Sequence, residues 1–116
     1  MITVYGIKNC DTCRKALKWL KEQDIRADFH DLRADGLDRD RLENWIGELG
    51  FETLLNRRGT TWRNLAAKDK DGLDEKRAAR LMLAHPTLIK RPLFDLGDCR
   101  LVGFTQAEKD RLQQAA

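Results

Sequence analysis

Residues 2–13 read Ile-Thr-Val-Tyr-Gly-Ile-Lys-Asn-Cys-Asp-Thr-Cys, and this run decides the fold. Ile2, Val4 and the neighbouring Thr3 and Tyr5 favour extended backbone and Gly6 interrupts them, so residues 2–5 predict a strand. A loop over 6–10 follows. From Asp11 or Thr12 the period changes: Cys13, Ala16, Leu17 and Leu20 recur at helical spacing on one face, with Lys15, Lys18 and Lys21 on the others. Residues 27–31, Ala-Asp-Phe-His-Asp, predict a second strand. Strand, helix and strand in such short compass open an α/β fold.

Working onward, Asp38 is placed to cap a helix whose apolar face is Leu42, Trp45, Ile46 and Leu49, and Gly50 suits a left-handed stop. Over 51–73, short apolar pieces alternate with turn-prone residues and predict short helices and loops. Another helix starts at about Asp74, carries Ala78, Leu81 and Met82 on one face and must end before Pro86. Residues 93–95 and 99–102 flank Leu96-Gly97-Asp98 and predict two antiparallel strands joined by a tight turn. Thr105 with Glu108 has capping-box spacing, so 106–114 should be helical. The whole order suits a four-stranded mixed sheet with helices on both faces.

Composition narrows the function classes. A chain of 116 residues has the size of one domain, and 41% hydrophobic with 35% charged residues argues against extensive disorder. The net charge is only +3, and basic residues are interleaved with acids, as in Asp38-Arg39-Asp40-Arg41, rather than gathered into a nucleic-acid stripe. No apolar run approaches a membrane span, and residues 1–7 lack the pattern of a secretory signal, so no nucleic acid or membrane partner and a cytoplasmic location are expected. Cys10 and Cys13 are too close in sequence to close a useful structural loop, so chemistry explains the pair better than stapling.

Cys10-Asp11-Thr12-Cys13 sits between a predicted strand and a predicted helix, the context in which this spacing reads as a redox motif. Unpaired N–H groups and the dipole at a helix start stabilise a thiolate, and such placement brings a cysteine pKa to roughly 3.5–7.5. Asn9, Asp11 and Thr12 surround the sulfur with small polar groups, and Lys8 and Arg14 add positive charge nearby in sequence. Cys13 is either a resolving thiol or a buried small hydrophobe. A zinc knuckle would need two more ligands, and Cys99, His30 and His85 have no matching spacing, so no metal is expected. His30 and His85 read as surface or capping residues, Cys99 as a packed or edge thiol, and Trp19, Trp45 and Trp62 as packing. Further on, Pro92 follows the Arg91 guanidinium just before a strand: the proline can be cis, and the arginine is either a fork for an oxyanion or carboxylate beside the thiolate or a solvated surface residue.

Three separated blocks, Tyr5-Gly6-Ile7-Lys8-Asn9-Cys10-Asp11-Thr12, Leu54-Leu55-Asn56-Arg57-Arg58-Gly59-Thr60 and His85-Pro86-Thr87-Leu88-Ile89-Lys90-Arg91-Pro92, make the chain resemble the arsenate reductase (ArsC) superfamily, most closely its YffB-like and Spx-like branches. The resemblance implies one thioredoxin-like domain over 1–116 with a helical insertion at about 37–86. It makes Cys10 the catalytic cysteine, Arg91 an active-site arginine and Pro92 the cis-proline set against that cysteine. Asn9, Asp11, Thr12, Arg58 and Pro92 become candidates for substrate binding, with Asn56, Arg57 and Arg58 as alternatives for one family arginine. The implied reaction is thiol reduction with glutathione as co-substrate, a small oxidised substrate and no tightly bound cofactor. Gly103-Phe104 stand where arsenate reductases carry an Arg-Pro pair, and losing a charge-assisted contact costs about 1.5–3 kcal/mol per hydrogen bond, which disfavours arsenate. The Spx-like branch supplies the alternative: a redox switch in which a Cys10–Cys13 disulfide governs binding to a protein partner such as RNA polymerase.

Overall fold

The computed structural model describes residues 2–115. The β-formers at the start make β1, Ile2–Gly6, followed by α1, Asp11–Glu22, and β2, Ala27–Asp31. β1 and β2 pair in parallel, from Ile2 opposite Ala27 to Gly6 opposite Asp31, with α1 as the crossover that a parallel pair needs. After a helical middle come β3, Leu93–Asp95, and β4, Arg100–Val102, an antiparallel pair joined through a turn at Gly97, whose φ is +93°. β3 also pairs antiparallel with β1, so the sheet order is β2-β1-β3-β4 and β1 is interior. The last helix of the fold, α7, spans Gln106–Ala115. At its start the Glu108 carboxylate accepts both the N–H and the hydroxyl of Thr105 at 2.7 Å, the glutamate half of the expected capping box.

Contacts divide the fold into two compact units, one made of the residues up to Gly36 together with those from Arg91 onward, the other Leu37–Lys90. The first holds the sheet. Its core gathers Ile2, Val4, Ala16, Leu20, Ile25, Phe94 and Leu112, so α1 and α7 both pack against the sheet face that carries Ile2, Val4 and Phe94. Trp19 meets Phe104 edge-on at 5.7 Å beside this core.

The second unit contains α2, Arg39–Leu49; three short helices, α3 (Phe51–Leu54), α4 (Thr60–Asn64) and α5 (Ala67–Lys70); α6, Glu75–Ala84; and a 3-10 turn at Pro86–Leu88. Asp38 has the extended backbone of an N-cap, but its carboxylate accepts no cap hydrogen bond, whereas Asp74 accepts the Arg77 N–H at 2.8 Å. Gly50 ends α2 at φ +85°, a conformation that favours glycine. The buried face of α6 is Ala78, Ala79 and Met82, turned away from Leu81, which is half-buried. Trp62 lies under two cations, with the Arg57 guanidinium 5.6 Å and the Lys70 ammonium 5.4 Å from its ring. Among the described residues no helix is long and apolar enough to cross a membrane.

Leu20 is 2% exposed in the core under the sheet, so Leu20→Ala should lower unfolding free energy by about 2–5 kcal/mol in urea titrations. An unchanged midpoint would mean that α1 does not depend on this core.

Candidate functional site

Cys10 is the N-cap residue of α1, with extended backbone (φ −121°, ψ 119°) and a carbonyl that accepts the Arg14 N–H at 3.0 Å. Its side chain is half-buried at the helix start. Partial burial pushes the Cys10 thiol up, but the Cys13 backbone N–H, the Cys13 thiol and the Arg91 guanidinium favour the thiolate and together outweigh burial, so its pKa falls below the ordinary value. Cys13, one turn into α1, is 1% exposed. Burial is the main force pushing its thiol up to about 11, the Cys10 sulfur adds to that, and a backbone hydrogen bond at Ile7 and the Arg91 charge only partly oppose it. One helical turn thus separates a favoured thiolate from a persistent thiol. All three cysteines, Cys99 included, are free.

The surroundings of the pair come from three places in the chain. The Arg91–Pro92 peptide is cis, and the buried Pro92 carbonyl accepts the Gly103 N–H at 2.9 Å. Gly103 has φ +100° and Phe104 packs on Trp19 and Phe94, so this pair supports the proline and the core without contributing charge. Gly6 ends β1 directly against Cys13: a Cβ there would stand 2.5 Å from the Cys13 sulfur and 3.3 Å from the Phe29 ring. The third is Asp31, buried at the end of β2, whose Oδ2 accepts the Lys8 N–H at 3.0 Å while Oδ1 accepts those of Arg33 at 2.8 Å and Ala34 at 2.9 Å. Burial raises its pKa, but the N–H groups of Ala34, Lys8 and Arg33 and the Lys8 charge prevail and hold it below the usual carboxylate range.

The sequence-predicted residues fall out unevenly. Cys10, Cys13 and Arg91 converge, Pro92 follows Arg91 in the chain, and Asn9, Asp11 and Thr12 adjoin Cys10 in the loop and first turn, where all three are exposed. Arg14, placed near the sulfur by its sequence position, spends its side chain elsewhere: its Nε donates to the Lys8 carbonyl at 3.1 Å and it pairs with the exposed Asp11 at 3.5 Å. Lys8 likewise exerts its charge on Asp31. Arg58 belongs to the second unit, in a turn where its N–H donates to Asn56 Oδ1 at 3.1 Å. Cys99 is half-buried and accepts from Arg111 Nη2 at 3.3 Å; the His30 ring lies 2.7 Å from the Gly36 carbonyl; His85 ends α6. Among the described residues no group of three or more His, Cys, Asp or Glu side chains is arranged to hold a metal ion. Asp31 and the packing role of Gly6 went unread in the sequence. The only local signal was an aspartate at a strand end followed by a polar turn, an Asx-turn pattern.

With this geometry in hand, comparison with known proteins gives one decisive finding: the model of the ArsC family matches residues 5–112. The chain belongs to the ArsC family. An uncharacterized protein of Haemophilus influenzae is 48% identical, covering 93% of this ArsC-family chain and 95% of its own length. The global transcriptional regulator Spx of Listeria innocua is 30% identical over 93% of this chain and 83% of that protein. Among solved structures, one described as the YffB protein matches with a TM-score of 0.92 at 47% identity, over 97% of this chain and 99% of that one. An arsenate reductase (ArsC) related protein of Brucella melitensis matches with a TM-score of 0.79 at 41% identity, over 95% and 92%. The four-stranded mixed sheet of this ArsC-family chain is the thioredoxin-like arrangement these relatives share.

The Gly6–Cys13 contact is directly testable. Gly6→Ala should destabilise the chain, because the new methyl must displace the Cys13 sulfur, and Cys13→Ala on top of it should recover a substantial part of the loss. Thermal melts of the two single variants and the double variant form the cycle; simple additivity would show that the contact does not constrain Gly6.

Proposed function

We propose that this ArsC-family chain is a thiol oxidoreductase acting through the Cys10 thiolate, with glutathione as co-substrate. The observation that carries the reading is the split between the two sulfurs: Cys10 is held below its ordinary pKa and Cys13 is pushed up to about 11. A thiol attacks as its thiolate, and of the two sulfurs Cys10 is the one whose surroundings favour that form.

The reaction follows from ordinary thiol–disulfide exchange. The Cys10 thiolate attacks the glutathione sulfur of a glutathionylated substrate, forming a Cys10–glutathione disulfide and expelling the substrate sulfur as a thiolate. A second glutathione thiolate then attacks the glutathione sulfur of that adduct, releasing glutathione disulfide and returning Cys10 as a thiolate. The substrate gains two electrons, and two glutathione moieties leave joined. Cys13 is a poor intramolecular competitor for the second step, since burial, the largest cause of its raised pKa, persists when Cys10 carries the adduct. Arg91 favours the anionic sulfur, and in this reading its guanidinium also forks onto a substrate carboxylate. Asn9, Asp11 and Thr12 present exposed polar side chains beside the nucleophile for substrate contact. Gly103 and Phe104 offer no charge where an arsenate reductase would carry one, which favours an oxidised thiol over arsenate. Free thiols and this chemistry suit a reducing compartment such as the cytoplasm.

A second reading has its own support, the hydrogen bond between the Cys13 thiol and Cys10: oxidation of the pair to a disulfide would make the chain a stoichiometric switch for a protein partner. Turnover separates the two. In a glutathione-recycling assay with a small mixed disulfide, Cys10→Ser should abolish turnover, Cys13→Ser should retain most of it, and Arg91→Ala should lower kcat/KM about tenfold, one charge-assisted contact. Turnover retained in Cys10→Ser would overturn the site, and loss in Cys13→Ser with stoichiometric disulfide formation in the wild type would favour the switch.

A further inference from the structure

Asp31 has a pattern of contacts unlike a solvated strand-end carboxylate. It is 3% exposed, and both its oxygens are spent on backbone N–H groups rather than on a side-chain cation. Two of those groups, Arg33 and Ala34, belong to the turn that immediately follows, so they fix the carboxylate itself. That turn is held from both sides: the Asp31 N–H donates to Asp35 Oδ2 at 2.9 Å, and the Leu32 N–H donates to the Gly6 carbonyl at 2.8 Å. The remaining oxygen reaches across 23 residues to the Lys8 N–H, two positions before Cys10. Lys8 and Asn9 form the turn between β1 and α1, and the Lys8 carbonyl in turn accepts from Arg14 on the first turn of α1. The loop that delivers Cys10 is therefore held at its outer edge by one buried carboxylate.

We propose that Asp31 is a positioning residue for Cys10: its carboxylate fixes the β1–α1 loop through the Lys8 N–H, and thereby keeps the Cys10 sulfur in register with the Cys13 N–H and the Arg91 guanidinium. This rests on Cys10 being the reactive thiolate. The physical reason is that the stabilisation of that thiolate is short-ranged: it comes from hydrogen bonds to Cys13 and Arg91, which weaken steeply with misalignment. A loop free to shift would leave the sulfur partly buried without its donors, and burial alone raises a thiol pKa.

Charge and position make opposite demands here, which gives the test its sign. Asp31→Asn keeps the shape but removes a negative charge, and by Coulomb's law alone that would make the Cys10 thiolate easier to form. The same change sets an amide NH2 against one of the N–H groups the carboxylate now accepts, which loosens the latch. The positioning role predicts that the midpoint of Cys10 alkylation by iodoacetamide, followed over pH by peptide mass spectrometry, rises by roughly half to one unit, a threefold to tenfold smaller thiolate share well below the midpoint. A midpoint that falls or stays put in a folded variant would overturn it.

A second variant leaves the carboxylate intact. A synthetic thioester of residues 1–9 carrying the α-hydroxy analogue of lysine at position 8, ligated to the chain from Cys10, replaces the Lys8 N–H by oxygen, and its Cys10 midpoint should rise in the same direction. Leu112→Ala, which empties part of the core at α7, should lower the melting temperature and leave the Cys10 midpoint where it is; a rise there would make the Asp31 effect one of general stability. A wild-type midpoint no lower than that of a free thiol would instead remove Cys10 as the nucleophile, a different failure from a normal wild type with an indifferent Asp31→Asn.

Discussion

The Cys10 thiolate at the head of α1 is the interaction on which the account turns. Burial alone would weaken the acidity of this half-buried sulfur, and the opposite holds, because a backbone N–H, a neighbouring thiol and a guanidinium are all directed at it. Each donor arrives by a different route: Cys13 because α1 starts where it does, Arg91 because it lies just before β3, and the sulfur itself because the loop after β1 is tied down at Lys8. The interior place of β1 in the sheet makes this possible, since β2 on one side and β3 on the other bring Asp31 and Arg91 to the same end of the strand.

The opposite fate of Cys13 is part of the same design. Its sulfur fills the space left by the missing side chain of Gly6, so it is dry, and a dry thiol next to a thiolate stays protonated. In that state it donates to Cys10. A thiol that stabilises its neighbour's charge while resisting its own ionisation would suit the glutathione-resolved monothiol cycle proposed above. The arrangement also keeps two sulfurs in contact, which is what a disulfide switch would need.

Much of this was legible in the residues. β1 forms from the β-formers before Gly6, α1 begins at Asp11, and the hairpin turns at Gly97, because in each case the signal lies within a few neighbours along the chain. The cysteine pair was expected at a strand–helix junction, and Cys10 is the N-cap of α1 with Cys13 in its first turn. Contacts between distant segments were not legible. The Asp31 bond to Lys8, the Gly6 fit to Cys13 and the Pro92–Gly103 hydrogen bond depend on which strands become neighbours, and no local pattern encodes that. Arg14 was near the sulfur in sequence, and what the sequence did not show is that its side chain runs back to the Lys8 carbonyl and Asp11. Asp38 had the residue type and backbone of a cap without its hydrogen bond, since propensity records how often a contact forms and not whether it does.

The most direct test is the alkylation of the wild-type chain resolved by cysteine across pH, with peptides carrying Cys10 and Cys13 quantified separately. The expected result is a Cys10 midpoint below that of a free thiol and a Cys13 midpoint near 11. Equal midpoints for the two sulfurs, or a Cys13 that ionises first, would contradict it.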